Sequence, residues 1–301
     1  MEQQIFTNEK ILAWLSYFAD NAPIELEKVK LIDVTRKNKN LIPTVESHRA
    51  VMVFTQAGAP DIFYRMWNAG LGDCEVWYNE GSEPVGEMKH DKLSDMISRG
   101  INAYAGMLVI NDNARNTYKI GMDNHNFRMG SIQYVGSEIR AILLSKMNVS
   151  INDDMCIIGA ASIAMEAALI ALEGSVTAVE YSEEDRNTVL DNVDYFGLHN
   201  VNVIDHVDEK NYENLPVPSI VFLVASASME QELGFLTKLN PNINIVVYTL
   251  DFNVAAGMEK TLEKFGYKDP EIIQVAVSKL NSKHSFVTQP APWIITAKAE
   301  K

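Results

Sequence analysis

Short apolar runs rich in β-branched residues alternate along the whole chain with longer stretches whose apolar residues recur every three or four positions. The short runs predict strands and the longer stretches predict helices. In the first part of the chain, the predicted strands are residues 30–35, 50–55, 75–78 and 106–110, and the predicted helices are 8–20, 60–69 and 91–99. This alternation is typical of an α/β fold with a parallel sheet.

A polar stretch at residues 111–131 interrupts the alternation and predicts a linker. After it, a helix is predicted at 138–147. Seven strands follow at 155–158, 176–180, 201–204, 219–225, 243–250, 272–278 and 293–297, with helices at 165–172, 183–196, 229–239 and 254–265. Helices between strands indicate a doubly wound sheet, and the last two strands, which lack a helix between them, predict an antiparallel pair. We therefore expect two domains, residues 1–118 and 119–301.

Charge and composition narrow the classes of partner. The 26 basic residues against 40 acidic ones give a net charge of −14, which disfavours nucleic acid and anionic membranes. The first residues lack the pattern of a signal peptide, and no apolar run is long enough to span a bilayer. The two cysteines and six histidines show no metal-ligand spacing. We expect a cytoplasmic protein without a metal site.

The first strand–helix turn of the second domain is the expected ligand site, because ligands of doubly wound sheets bind beyond the carboxyl ends of the strands. That turn lies in the segment 155–168 and contains one glycine, Gly159. Glu180 stands at the carboxyl end of the next predicted strand, about 20 residues past the turn, where an acid can accept hydrogen bonds from ribose hydroxyls. The alternative is that Glu180 only favours the start of the following helix.

The chain resembles the decarboxylating precorrin methyltransferases of cobalamin biosynthesis, which use S-adenosylmethionine to methylate a corrin precursor at C5 and C15. In the second domain the similar segments are 127–130, 138–140, 176–181, 215–222 and 289–295. The resemblance implies a class I methyltransferase fold, a Rossmann-like seven-stranded doubly wound sheet. Segments 40–43 and 69–73 are similar to the C-terminal half of a tetrapyrrole methylase, the C5-methylating domain, whose amino-terminal subdomain has no counterpart here.

The resemblance also implies which residues form the site. S-adenosylmethionine would bind Gly159, Ala160, Ser162, Glu180, Tyr181, Asp205 and Ser226. Val207 and Asp208 are the alternatives to Asp205 for the position near the adenine. A tetrapyrrole or another polycarboxylate would meet the cations Arg128, Arg140 and Lys279, which otherwise are ordinary charges of an acidic protein. Members of this family associate, so a homo-oligomer is expected, with candidate contacts at Tyr64, Trp67 and the helix 8–20.

The first turn departs from the D-x-G-x-G-x-G pattern of the family. Ile157 stands where the acid is expected, Ala161 and Ile163 stand where glycines are expected, and the turn is two residues shorter. Side chains at positions 161 and 163 would occupy space that the cofactor uses. Two hypotheses follow: an S-adenosylmethionine-dependent methyltransferase of corrinoid biosynthesis, or a degenerate, non-catalytic homologue that acts as a binding or interaction subunit.

Overall fold

The computed structural model describes residues 7–35, 40–55, 62–99, 105–114, 120–130 and 135–299. The chain divides into two compact units, one of residues 1–119 with 194–199 and the other of 120–193 with 200–301. Each unit has its own main sheet. The domain boundary between residues 118 and 119 stays a prediction.

The first unit contains a five-stranded mixed sheet in the order β1-β2-β5-β3-β4. Its strands are β1 (Val29–Asp33), β2 (Ala50–Phe54), β3 (Glu75–Tyr78), β4 (Lys89–Lys92) and β5 (Gly106–Ile110). Its helices are α1 (Asn8–Asn21), α2 (Leu41–Ser47), α3 (Ile62–Asn68) and α4 (Leu93–Arg99), with a short 3-10 turn at Leu26–Lys28.

The expectation of a parallel sheet is wrong for the first unit, where only β1 and β2 pair in parallel. The hairpin of β3 and β4 reverses the chain, so that β5 runs antiparallel to both β2 and β3. Strand β4 has the sequence KHDK, which carries no apolar signal, and residues 91 and 92 were predicted as helix. The hydrophobic pattern does not detect this strand of four polar residues. Because the strand reverses the chain, β5 runs in the opposite direction to the one expected.

Strand β2 explains why the first unit has helices on both faces of its sheet. Successive side chains of a strand point to opposite faces. Met52 packs with Trp14 and Phe18 of α1, whereas Val53 packs with Leu41 of α2. All five residues of β2 are buried, as expected for a central strand covered on both sides.

The second unit contains a seven-stranded sheet in the order β11-β14-β10-β9-β6-β7-β8. Its strands are β6 (Asp154–Ile158), β7 (Ser175–Val179), β8 (Val201–Ile204), β9 (Ile220–Val224), β10 (Asn244–Thr249), β11 (Glu271–Gln274) and β14 (Trp293–Ala297). Its helices are α5 (Ser137–Met147), α6 (Ala161–Ile170), α7 (Glu183–Phe196, of which residues 194–196 belong to the first unit), α8 (Glu209–Tyr212), α9 (Met229–Leu239) and α10 (Phe252–Glu263), with a 3-10 turn at Asn124–Asn126. A separate hairpin consists of β12 (Ser278–Leu280) and β13 (Phe286–Thr288).

The doubly wound sheet predicted for the second unit is confirmed. Strands β6 to β10 pair in parallel, and β14 lies antiparallel between β10 and β11. The larger differences are that α6 begins at Ala161 rather than residue 165, that β11 ends at Gln274 rather than residue 278, and that α8 and the hairpin were not predicted. Helix α6 begins early because the turn after β6 is tight and alanine and serine continue directly into the helix.

The carboxyl ends of the parallel strands form one edge of the second sheet, which we call the carboxyl edge. Strand β6 lies between β9 and β7, and the chain winds outward from it in both directions. This is the topological switch point, where open α/β sheets leave a crevice for a ligand. The residues after β6, β7, β8 and β9 therefore belong to the candidate site.

Candidate functional site

The turn between β6 and α6 is built around Gly159, which has a φ of +71°. This left-handed conformation is accessible to glycine at little cost and is costly for other L-residues. A Cβ built at Gly159 would lie 3.6 Å from Val224, the last residue of β9, which is ordinary contact. Backbone conformation, and not lack of space, therefore requires glycine here. Its N–H donates to the carbonyl of Val179 at 3.0 Å.

Helix α6 is buried along nearly its whole length. Ala160, Ala161 and Ser162 are at most 6% exposed, and Ile163 is fully buried. The structure thus places Gly159, Ala160 and Ser162 together at the carboxyl edge, as the sequence predicts. Whether Ala161 and Ile163 fill cofactor space stays a prediction, although both side chains belong to the packed interior of the helix.

Glu180 follows β7 directly and lies beside the start of α6. Its carboxylate accepts a hydrogen bond from the backbone N–H of Ala161, and its side chain is nearly buried. Burial raises the pKa of Glu180 to about 7, and repulsion from Asp185 adds to the shift, whereas the Ala161 N–H opposes it. Glu180 therefore changes its charge near neutral pH at the place where an acid was predicted to bind ribose.

Four polar side chains meet across the end of β6 and form what we call the edge cluster: Tyr181, Ser226, Ser228 and Glu232. The Tyr181 hydroxyl donates to Glu232 Oε1 and lies 3.1 Å from Ser228 Oγ. Ser228 Oγ lies 3.0 Å from Ser226 Oγ and 3.3 Å from Glu232 Oε1. Tyr181 follows β7 and the serines follow β9, so the cluster joins the two strands that flank β6.

Glu232 is the most unusual member of the edge cluster. It is 4% exposed, and its Oε2 atom is buried without a hydrogen-bond partner among the described residues. Buried polar atoms in folded proteins nearly always have partners, and one without a partner costs about 1–3 kcal/mol or more. The edge cluster therefore retains an unused acceptor at the switch point of the sheet.

Asp205 lies after β8, at the outer end of the carboxyl edge. Its Oδ1 atom accepts from Asn211 Nδ2 at 3.0 Å and lies 2.9 Å from His206 Nδ1. His206 Nε2 lies 2.9 Å from Asp208 Oδ2. Asp205 is thus half-buried within a small local network, after the strand that pairs with β7.

The predicted substrate cations occupy different surroundings. Arg128 is exposed, and its backbone N–H and carbonyl are both bound by the side chain of Asn192. Lys279 lies on β12 and pairs with Glu138 at 2.6 Å, a contact that lowers the pKa of Glu138. Arg128 and Lys279 therefore have side chains at the surface.

Arg140 is completely buried and binds Glu166, whose side chain is 2% exposed. Its Nε donates to Glu166 Oε1 at 2.5 Å, and its Nη atoms donate to Asn124, Val135 and Met122 and, more weakly, to Ser162. The guanidinium also stacks over Phe127, 4.8 Å from the ring centre. Since protein groups occupy all three nitrogens, the structure does not support the predicted contact between Arg140 and substrate.

The other Glu166 oxygen accepts the backbone N–H of Gly121 at 2.8 Å, and Oε1 also accepts that of Met122 at 2.9 Å. Arg140, Glu166, Gly121, Met122 and Asn124 form what we call the Arg140–Glu166 cluster. It fixes residues 121–124 against α5 and α6, so this part of the predicted linker is packed against the second unit.

The sequence reasoning did not single out Glu166 or Glu232 as buried acids. Both have a recognisable signal: an acid at a helix position surrounded by apolar residues. Glu166 lies in an apolar run of α6, and Glu232 lies three residues after Met229 and four before Leu236, both buried. An acid on the buried face of an amphipathic helix requires partners, which identifies it as a residue of interest.

Comparison with known proteins gives a match to the family described as "Precorrin methyltransferase domain" over residues 128–291. A Methanococcus maripaludis protein named probable cobalt-precorrin-6B C(15)-methyltransferase (decarboxylating) is 28% identical over 183 residues, which cover 58% of this chain and 97% of that protein. These matches concern the second half of the chain.

Solved structures give the same result. A precorrin-6Y C5,15-methyltransferase from Geobacter metallireducens GS-15 is 26% identical, with a TM-score of 0.55, over 60% of this chain and 98% of that one. A precorrin 8W decarboxylase from Methanobacterium thermoautotrophicum is 17% identical, with a TM-score of 0.50, over 58% of this chain and 98% of that one, and shows the fold alone. The expected Rossmann-like fold of class I methyltransferases is confirmed.

Proposed function

We propose, on the premise that this chain belongs to the precorrin methyltransferase domain family, that it is an S-adenosylmethionine-dependent methyltransferase acting on a precorrin-type tetrapyrrole. The observation that carries the proposal is the buried Glu180 carboxylate beside the Gly159 turn at the switch point of the sheet. Relatives named for C15 methylation and decarboxylation match the second half, so we propose that this half carries the activity.

The residues of the carboxyl edge fit such a cofactor chemically. When bound, S-adenosylmethionine supplies an electrophilic methyl group on a sulfonium. Glu180 would accept hydrogen bonds from the ribose hydroxyls, and Asp205 on the neighbouring strand would face the base. Gly159 and Ala160 would let the ligand approach the backbone, and positioning of donor and acceptor accounts for much of the rate in such reactions. Ser162, Tyr181 and Ser226 complete the proposed set.

The acceptor in this proposal is a polycarboxylate, so its site requires cations. Arg128 and Lys279 are proposed for this role because their side chains are at the surface. Arg140 is left out because its guanidinium is bound within the Arg140–Glu166 cluster. Binding of substrate to Lys279 would compete with its ion pair to Glu138.

Titration calorimetry with S-adenosylhomocysteine tests the proposal. We expect binding, and we expect Glu180→Ala to weaken it at least tenfold, because a charged acceptor of hydrogen bonds contributes about 1.5–3 kcal/mol. Glu183→Ala, an exposed acid in the first turn of α7, is the matched control and should bind as the wild type does.

The same titration has an outcome against the proposal. If the wild-type protein gives no heat with ligand near one millimolar, the methyltransferase activity is rejected and the non-catalytic, degenerate homologue is favoured. If it binds, transfer of a labelled methyl group from S-adenosylmethionine to a cobalt-precorrin-6B substrate tests the reaction itself.

The first unit and the assembly are further parts of the proposal. We propose that residues 1–118 derive from a tetrapyrrole methylase and that the protein is a cytoplasmic homo-oligomer. Tyr64 and Trp67 are 53% and 43% exposed, with ring centres 5.9 Å apart, and Leu12 on α1 is 62% exposed. Such apolar surface favours an interface. A constant mass of 34 kDa in light scattering over a wide concentration range would exclude association.

None of the described helices has the length and apolar character that crossing a bilayer requires.

A further inference from the structure

The turn that should hold the cofactor is electrically neutral. From the end of β6 to the start of α6 it reads Ile-Ile-Gly-Ala-Ala at residues 157–161. The amino acid part of S-adenosylmethionine carries a protonated amine beside a carboxylate, and a buried amine requires hydrogen-bond acceptors for its three donors. The side chains of this turn supply none, so a charged acceptor for the amine has to come from another element.

Two nearly buried carboxylates lie at this part of the carboxyl edge, Glu180 and Glu232. Glu180 is engaged by the Ala161 N–H and has been placed at the ribose. Glu232 reaches the edge from α9, on the other side of β6, through its contacts with Tyr181 and Ser228. Glu180 therefore reaches this edge from the end of β7, and Glu232 reaches it from α9.

The surroundings of Glu232 match an ammonium group. The two hydroxyls that its carboxylate binds, those of Tyr181 and Ser228, are uncharged, and Oε2 has no hydrogen-bond partner among the described residues. An ammonium donates three hydrogen bonds. Glu232 offers the charge, and the hydroxyl oxygens of Ser228 and Ser226, 3.0 Å apart, offer two further acceptors.

Tyr181 determines access to this acceptor. Its side chain is 48% exposed, and its hydroxyl is bound to Oε1 of Glu232. An exposed side chain changes rotamer on the picosecond to nanosecond scale, and the terminal torsion of a glutamate is soft. A ligand amine can therefore displace the Tyr181 hydroxyl and meet either carboxylate oxygen.

We infer that Glu232, with Ser228 and Ser226, forms an ammonium-binding subsite that receives the amino acid part of the cofactor, with Tyr181 as its displaceable cover. This inference rests on the proposed function. It assigns to α9 the counter-charge that the β6–α6 turn lacks, and it predicts selectivity for ligands that retain the amine.

The contribution of this subsite to binding can be measured by comparing two ligands. S-adenosylhomocysteine has the amine, whereas 5′-methylthioadenosine lacks the whole amino acid part. Titration calorimetry measures both with wild-type protein and with Glu232→Gln. We expect Glu232→Gln to bind S-adenosylhomocysteine about 10- to 100-fold more weakly, the range of a charge-assisted hydrogen bond. Binding of 5′-methylthioadenosine should change by less than twofold.

Glu230→Gln is the matched control, because Glu230 lies on the same helix and pairs with Lys264 at the surface. It should leave both affinities unchanged. Ser228→Ala provides a second variant, which carries the test if Glu232→Gln does not fold; we expect a loss of about threefold or more for S-adenosylhomocysteine alone.

The outcomes distinguish the two proposals. If wild-type protein binds neither ligand, the proposed function fails and this inference fails with it. If wild-type protein binds both ligands but the variants weaken both equally, or weaken neither, only the subsite is rejected. A loss confined to the ligand with the amine supports it.

Discussion

Glu166 and Glu232 are equally buried, yet their surroundings differ. Glu166, at 2% exposure, binds Arg140 and two backbone N–H groups, so both oxygens have partners. Glu232, at 4% exposure, binds two hydroxyls through one oxygen and leaves the other without a partner among the described residues. The first acid lies between α5 and α6, and the second lies at the carboxyl edge.

The comparison separates a structural acid from one available to a ligand. A buried charge whose partners all belong to the protein stabilises the packing of the helices that carry them. Its removal leaves the opposite charge buried without a counter-charge. A buried charge with an unused acceptor costs stability until a ligand donates to it. Stability should therefore depend strongly on Glu166 and weakly on Glu232, whereas ligand binding should show the opposite dependence.

The largest expected effect is on the Arg140–Glu166 cluster. Glu166→Gln leaves the buried Arg140 without its counter-charge, so we expect the free energy of unfolding to fall by about 3–5 kcal/mol. Denaturant titration followed by circular dichroism measures it. Glu230→Gln, in an exposed pair with Lys264, is the control and should change the stability by less than about 0.5 kcal/mol. A loss below about 1 kcal/mol for Glu166→Gln would contradict this interpretation of the pair.

The next effect concerns pH and Glu180. Its pKa in the folded protein, about 7, lies above the ordinary 4.5, so the folded state binds more protons between these values. The contribution of Glu180 to stability is therefore present below about pH 4.5 and is lost as the pH rises to 7. The loss is about 3 kcal/mol for a shift of this size.

Denaturant titrations of the wild type and Glu180→Gln at several pH values test this sign. As the pH rises from 4.5 to 7, the wild type should lose stability relative to Glu180→Gln. Above pH 8 the difference between their free energies of unfolding should be constant. A difference that does not change with pH would show that Glu180 titrates normally, as an exposed helix-start acid does.

A smaller effect is expected at the turn. Gly159→Ala places a Cβ at ordinary contact distance from Val224 but keeps a φ of +71°, so the cost is conformational, about 1–2 kcal/mol. Thermal unfolding measures it. Gly257→Ala, with no atom within 4 Å of the added Cβ and a position inside α10, should instead stabilise the protein slightly. If both variants lower the melting temperature equally, the turn does not require glycine.

The smallest effect is expected at Glu232, which completes the comparison with Glu166. Glu232→Gln removes a buried charge whose hydrogen-bond partners, Tyr181 and Ser228, are uncharged. We therefore expect the free energy of unfolding to stay the same or to rise, by less than about 1 kcal/mol. The same denaturant titration serves. A loss as large as that of Glu166→Gln would mean that Glu232 is a structural acid.

Much of the second unit could be predicted because its central strands are apolar and buried and because helices separate most of its strands. Strands β8 and β14 and helices α7 and α9 have the predicted bounds. The first unit was harder. Its polar strand β4 carries no hydrophobic pattern, and this strand decides the direction of β5.

The sequence predicted where the candidate site lies, but it did not predict all the residues that form it. Gly159 and Glu180 follow from the strand–helix alternation, because the turn after the first strand and the end of the second meet at one edge. Glu232 lies on a helix 51 residues further along the chain than Tyr181, and only packing brings the two together. Arg140, predicted as a substrate-binding cation with an ordinary surface charge as the alternative, is instead completely buried.

The sequence by itself determined the α/β class, the seven-stranded sheet and the family resemblance, because hydrophobic periodicity and turn residues act over a few positions. Only the tertiary structure decided which charges are satisfied. Whether Arg140 and Glu166 pair fully, and whether Glu232 keeps an oxygen without a partner, depends on distant segments that bury these groups and replace their water. That replacement is a property of packing, and no local pattern specifies it.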